Sequence, residues 1–297
     1  MAPSLQIMLE HLYEKLINSG WYKDNYFSAS NPVIIGGSPR SGTTLLRVML
    51  DSHKNIYIGP ETGLLYTNLL NNNKLGKIST QLDVSPEKIR SIKKESLSNI
   101  QFIDSLFTHL QQKAGKHRWG EKSPRNVTVI GRLFKYFPES RFIHIIRDGR
   151  DVACSLRHFP KHKIVDGNIV KLDTNNPIDQ CISTWIHNVK LGLAWRSDPR
   201  YLEIKYEDLV SNPKHTMTDV LDFIDEPWDE DVLNYYLVDS ATRSIDKIPQ
   251  NIRARKPIDK SALARWKRDL SKEEQELFKK MAGDLLVELG YEQDSGW

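Results

Sequence analysis

Apolar residues in this chain gather into short runs, separated by longer stretches where they recur at helical spacing. Four runs read as strands: Val33–Ile35, Ile56–Ile58, Phe142–Ile146 and Tyr201–Ile204. Each is followed by loop or helix signals, and strands alternating with helices predict a parallel sheet covered on both faces. After the first run, Leu45, Leu46, Met49 and Leu50 share one helical face suited to packing on that sheet. The pattern therefore predicts an α/β fold.

Elsewhere the pattern is helical or irregular. Leu5, Met8, Leu9, Leu12, Leu16 and Ile17 predict an amphipathic N-terminal helix within residues 1–30. Its polar face is poor in Lys and Arg, which favours packing on the domain over lying on a membrane surface. Residues 64–118 are rich in Asn, Lys, Ser and Gln, yet carry Ile89, Ile92, Leu97, Ile100, Phe102, Leu106, Phe107 and Leu110 at helical intervals. They predict a helical insertion over the binding edge of the sheet. Residues 158–177 contain two prolines and little periodicity, and read as a long loop of the functional kind. Asn212-Pro213 and the Ser271/Glu274 capping box mark two later helix starts. With neither repeat nor linker in view, residues 1–297 read as a single domain.

Composition narrows the classes. A net charge of +4 suits an anionic small ligand better than a nucleic-acid surface, so no nucleic-acid partner is expected. No run approaches the ~18 apolar residues of a membrane helix. The only cysteines, Cys154 and Cys181, suggest no disulfide framework and point to a reducing, cytoplasmic compartment. The nine histidines show no zinc-ligand spacing, so no metal is expected.

The chemistry begins in "GGSPRSGTT", between the first strand and its helix. Gly37 and Gly42 have the spacing of a phosphate-cradling loop, but Thr43 stands where a triphosphate loop has lysine. Such a junction aims backbone N–H groups and the positive end of a helix dipole at one point. Thr43 and Thr44 add hydroxyls, and Arg40 adds a forked cation. A sulfuryl group carries less charge than a phosphoryl group and can be held without the lysine. The competing reading is a glycine-rich turn that merely joins strand to helix. A second segment, "RFIHIIRDGRDVACS", puts Arg147 directly after a strand and Ser155 eight residues later, where both could reach a second phosphate; the competing reading is a surface arginine and a solvated serine.

"PRSGTT" followed by "IIRDGRDVACS" resembles the two nucleotide signatures of sulfotransferases that use 3′-phosphoadenosine 5′-phosphosulfate (PAPS). The run "RSGTTLLRVMLDSH…GPET" is most similar to tyrosylprotein sulfotransferases and related bacterial sulfotransferases. "EKSP", "KYEDLVSNP" and "KPIDKSALARW" extend the resemblance in patches over roughly residues 33–291. It implies a P-loop-like sheet, PAPS as donor and 3′-phosphoadenosine 5′-phosphate (PAP) as product. By that resemblance Arg40, Ser41, Gly42, Thr43 and Thr44 hold the 5′-phosphosulfate, and Arg147 and Ser155 the 3′-phosphate.

Glu61 matches the general base that takes the proton from the acceptor hydroxyl. Lys122 matches the lysine beside the transferring group, with Arg40 and Thr44 sharing its work; Glu121 is at most its salt-bridge partner. Tyr206 matches a tyrosine near the nucleotide, against the competing reading of a core tyrosine. Ser244 and Lys256 match contacts in a segment over the nucleotide, where Arg253 and Arg255 add charge. The tyrosylprotein enzymes carry arginines two and six residues after the base, where this chain has Gly63 and Thr67. The expected acceptor is thus a hydroxylated small molecule in preference to a protein tyrosine. A P-loop kinase or NTPase and a non-catalytic nucleotide-binding module are the rival readings.

Overall fold

The computed structural model describes residues 26–67, 72–159, 161–165, 168–172, 174–238, 254, 256–294 and 297. The expected N-terminal helix, with Leu5 to Ile17, lies outside them. Residues 26–30 are irregular chain instead of helix. They are tied down by the buried Asp104 carboxylate, which accepts from Tyr26 Oη at 3.0 Å, from Ser30 Oγ at 2.7 Å and from Ser28.

Strand β1 (Val33–Gly37) leads into helix α1 (Thr43–Ser52), then β2 (Ile56–Ile58). Helices α2 (Asn72–Leu82), α3 (Pro86–Glu95) and α4 (Asn99–Lys113) precede β3 (Arg118–Lys122). After α5 (Ile130–Tyr136) come β4 (Arg141–Ile146) and α6 (Gly149–Arg157). A hairpin of β5 (Lys161–Val165) and β6 (Asn168–Leu172) then leads to α7 (Ile178–Leu193) and β7 (Tyr201–Lys205). The chain finishes through α8 (Tyr206–Ser211), α9 (Pro213–Phe223), α10 (Trp266–Asp269) and α11 (Lys272–Glu288). The main sheet runs β2-β3-β1-β4-β7, with every neighbouring pair parallel.

Alternation along the strands splits the core. Ile34, Trp119, Phe142 and Tyr201 face one side, packed by Ile78, Leu82, Ile100 and Phe107 of α2 and α4. Val33, Ile35, Ile58, Ile143 and Ile145 face the other, against Leu46, Met49 and Leu50 of α1 and Val220 and Leu221 of α9. The helical insertion thus covers a sheet face. Among the described residues Gln81 is its one side chain on the cavity at the binding edge, so the expected roof is a wall. Among the described residues no helix is long and apolar enough to cross a membrane.

Three other expectations change. The loop expected over 158–177 contains the β5–β6 hairpin, with Val165 opposite Asn168 in antiparallel register. Its sequence signal, Asp166-Gly167 between two runs holding β-branched residues, is a strong hairpin cue that the prolines obscured. Strand β3, "RWGEK", was not expected as a strand at all. Pro213 does open α9, but the Asn212 side chain makes no capping hydrogen bond. The Ser271/Glu274 capping box is present in both halves.

Candidate active site

Parallel strands end on one side of the sheet, and the turns there form the ligand crevice of an open α/β fold. Here that edge bounds a cavity of about 640 Å³. Every strand of the main sheet contributes, at its end or through the turn or helix that follows it: Arg40, Gly42, Thr43 and Thr44 after β1, Glu61 after β2, Lys122 at the end of β3, Arg147 after β4 and Tyr206 after β7.

The loop after β1 is built by close approach. A side-chain Cβ at Gly37 would stand 2.5 Å from Ile145 O, so only glycine lets β1 and β4 meet there. At Gly42, φ is 96° and a Cβ would sit 2.3 Å from the Tyr206 ring. Arg40 adopts a left-handed φ of 72°, a conformation that costs about 1–3 kcal/mol. The buried apolar face of α1 outweighs that strain, since Leu46, Met49 and Leu50 contribute about 1.5–3 kcal/mol each. Helix α1 begins at Thr43 with no side chain capping it. Its first-turn N–H groups, with the positive end of the helix, therefore face the cavity available to an anion.

The two nucleotide signatures touch. Arg40 Nε donates to Ser155 Oγ at 3.0 Å, and Arg147 Nη1 donates to Arg40 O at 3.4 Å. Arg147 lies 6% exposed, its guanidinium 4.6 Å from the centre of the Tyr206 ring. Its Nη2 donates to Ala262 O at 2.5 Å and meets Asp151 Oδ2 at 3.3 Å. Its Nε is buried with no acceptor among the described residues. Asp151 Oδ1 in turn accepts from Trp266 N at 3.0 Å. Burial pushes the Asp151 carboxyl up, while Arg147 and the Trp266 N–H pull it down.

On the other side of the loop, Lys122 Nζ stands 2.9 Å from Glu61 Oε2 and 3.4 Å from Thr44 Oγ1. The lysine side chain is 4% exposed and the glutamate 40%, so the carboxylate is the member open to an incoming molecule. Gln81 Nε2 donates to Glu61 O and steadies that turn. Among the described residues Glu121 makes no ion pair with Lys122. It is buried and accepts from Ser123 Oγ at 2.8 Å, Asn126 Nδ2 at 2.7 Å and Thr62 Oγ1 at 3.2 Å, which pins the turn holding Glu61 to β3. Burial pushes its carboxyl up, against the pull of Asn126 and Ser123.

Most expected site residues therefore converge on the wall of this cavity: Arg40, Gly42, Thr43, Thr44, Glu61, Lys122, Arg147, Ser155, Tyr206 and Lys256. Ser41 lies beneath the wall, fully buried, its Oγ without a partner. Ser244, Arg253 and Arg255 fall outside the described residues. His53, His117 and His158 do not line the cavity. The sequence reading missed Gln81, Arg125, Phe159, Tyr235 and Arg265 on its wall. Arg265 belongs to "KPIDKSALARW", a segment already singled out, whereas Gln81 and Tyr235 carry no local signal. Among the described residues no group of three or more His, Cys, Asp or Glu side chains is placed to hold a metal ion.

A family model described as the sulfotransferase family matches residues 32–230. Protein-tyrosine sulfotransferase A of Caenorhabditis elegans is 27% identical over 252 residues, covering 82% of this chain and 63% of that protein. Nodulation protein NoeE of Sinorhizobium fredii is 26% identical over 277 residues, covering 86% of this chain and 65% of its own length. The chain thus spans less than two thirds of either relative. Among solved structures, the sulfotransferase domain of the Synechococcus PCC 7002 olefin synthase has a TM-score of 0.64 at 24% identity, over 88% of this chain and 97% of that one. Mouse sulfotransferase SULT7A1 complexed with PAP has a TM-score of 0.56 at 12% identity, over 92% and 89% of the two chains. These likenesses show the same fold, and the family match covers every strand of the main sheet: the chain belongs to the sulfotransferase family of enzymes.

Proposed function

We propose that this chain moves a sulfuryl group from PAPS to the hydroxyl of a small molecule. The observation that carries the reading is the row Glu61–Lys122–Thr44 opening on a phosphate loop that has Thr43 in place of lysine. The cavity suits an anionic nucleotide on several counts. The N-terminus of α1 is uncapped, Arg147 Nε is buried without an acceptor, and the Arg40–Ser155 bond joins the two signatures into one wall.

PAPS supplies an activated sulfuryl group and leaves as PAP. The chain's own residues bind, orient and move a proton. The first-turn N–H groups of α1, with Thr43 and Thr44, hold the 5′ end, and Arg147 with Ser155 holds the 3′-phosphate. Glu61 takes the proton of the acceptor hydroxyl, so that the acceptor oxygen bonds to sulfur as the bond from sulfur to the 5′-phosphate breaks. Lys122, already beside Thr44, steadies the charge that develops on the departing oxygen. No step in this scheme calls on a metal.

Gly63 and Thr67 at the places of the acidic-peptide arginines support a small-molecule acceptor over a protein tyrosine. A cytoplasmic setting belongs to the same proposal, supported by Cys154 and Cys181, both buried thiols.

The test is calorimetry with PAP against ATP and magnesium, together with turnover of radiolabelled PAPS over a panel of hydroxylated metabolites. PAP is expected to bind the more tightly, and label to pass to an acceptor. Tighter binding of ATP would favour a kinase or NTPase, and PAP binding without transfer to any acceptor a non-catalytic module.

A further inference from the structure

The order β2-β3-β1-β4-β7 divides the cavity. The phosphate loop follows β1, and Arg147 and Tyr206 follow β4 and β7, so the nucleotide of the proposed reaction takes the middle and one end of the edge. The acceptor is left the β2–β3 end. Three polar side chains line the cavity there in addition to Lys122: Glu61, Gln81 and Arg125.

Three of the other cavity cations are held by carboxylates. Lys122 meets Glu61 at 2.9 Å, Arg147 meets Asp151 at 3.3 Å and Arg265 meets Asp269 at 2.6 Å. Arg125 is exposed on the cavity wall, and its guanidinium has no carboxylate partner among the described residues. It is nonetheless held in place. The residue follows Pro124 at the start of a 3₁₀ turn over Pro124–Val129, and its Cζ lies 5.3 Å from the centre of the Tyr66 ring. Tyr66 is itself seated against the backbone of Gly63, where a Cβ would stand 2.6 Å from the tyrosine hydroxyl oxygen. A guanidinium stacked on an aromatic face loses little freedom when it grips an oxyanion with two parallel hydrogen bonds.

We propose that Arg125 is an acceptor-recognition residue, and that the acceptor carries a carboxylate or similar oxyanion besides the hydroxyl that receives the sulfuryl group. Glu61 and Lys122 address the hydroxyl; Arg125, on the turn that follows Lys122, addresses the acid. This inference rests on the sulfuryl-transfer reading. It accounts for an unpaired, pre-ordered arginine at the acceptor end, and it does not involve the nucleotide side of the cavity.

The experiment pairs phenolic and aliphatic hydroxy acids with their primary amides as acceptors for radiolabelled PAPS. The full chain, Arg125→Ala and Arg125→Lys are compared, and PAP affinity is measured by calorimetry for each. The wild-type chain should favour the acid over its amide by about 10- to 100-fold in kcat/KM, the worth of a charge-assisted bond. Arg125→Ala should erase that preference and Arg125→Lys restore part of it, with PAP affinity and the KM for PAPS unchanged in both. Equal use of acid and amide by the wild-type chain, or a preference that survives in Arg125→Ala, overturns the proposal. So does transfer to neither member of any pair while PAP still binds. Failure of PAP to bind the wild-type chain would instead remove the sulfuryl-transfer reading beneath it.

Discussion

Glu61 and Lys122 neutralise one another at 2.9 Å, so neither acts alone before an acceptor arrives. In the proposed reaction a hydroxyl entering the cavity takes the lysine's place beside the carboxylate, which lies outside both nucleotide signatures. Glu61→Gln should therefore leave PAP affinity unchanged or slightly improved while kcat falls by about 10² or more, read by calorimetry and by initial rates. Normal kcat with weakened PAP binding would make Glu61 structural. Arg147 is the opposite case. It is buried, its Nε has no acceptor among the described residues, and it lies at the end of the edge proposed for the nucleotide. Arg147→Ala should weaken PAP binding about 10- to 100-fold, with a smaller loss for adenosine 5′-phosphosulfate, which lacks the 3′-phosphate. Equal losses for both nucleotides would place Arg147 away from the 3′-phosphate.

The phosphate loop with α1 works as one element, and its geometry depends on a residue far along the chain. Gly42→Ala would drive a methyl group into the Tyr206 ring at 2.3 Å while φ stays near 96°. It should cost about 1–3 kcal/mol in urea unfolding and weaken PAP binding, because the loop moves when the ring cannot. Wild-type stability and affinity in that variant would show that the loop tolerates a side chain. The same scale explains what could be read from the chain beforehand. β1, β2 and β4 were legible because a strand buried on both faces reads as an apolar run, and the edge strand β7 because Tyr201, Leu202 and Ile204 keep most of its positions apolar. β3 was not, although it lies between β2 and β1. Its "RWGEK" spends three of five positions on charge: Arg118 bonds Asn31 O, Glu121 pins the Glu61 turn and Lys122 enters the cavity. Local pattern fails where residues answer to the site instead of the core. Gln81 and Arg125 escaped for a related reason, since only the packing of α2 and the 3₁₀ turn brings them to the cavity.

Across the whole molecule, β4, β7 and α7 meet at His144. Its Nδ1 lies 2.5 Å from Tyr201 Oη, and α7 passes so close that a Cβ at Gly192 would be 2.2 Å from the ring. Burial pulls this histidine down from 6.5 to about 3, so the folded chain keeps it neutral where the unfolded chain takes a proton. With more protons bound in the unfolded state, stability is full above pH 6.5 and falls as the pH drops toward 3. Urea midpoints should decline across that window, and His144→Gln should flatten the decline whatever its effect at neutral pH. An unchanged slope in the variant would assign the acid sensitivity elsewhere. The segment carrying Ala262 and Trp266 has a further consequence. It is bonded to Arg147 and to Asp151, and it leads directly into α10 and α11. If the nucleotide grips Arg147 as proposed, it draws on the same guanidinium that anchors this strap, and the two equilibria are linked. Added PAP should then change the rate at which a protease cuts the strap.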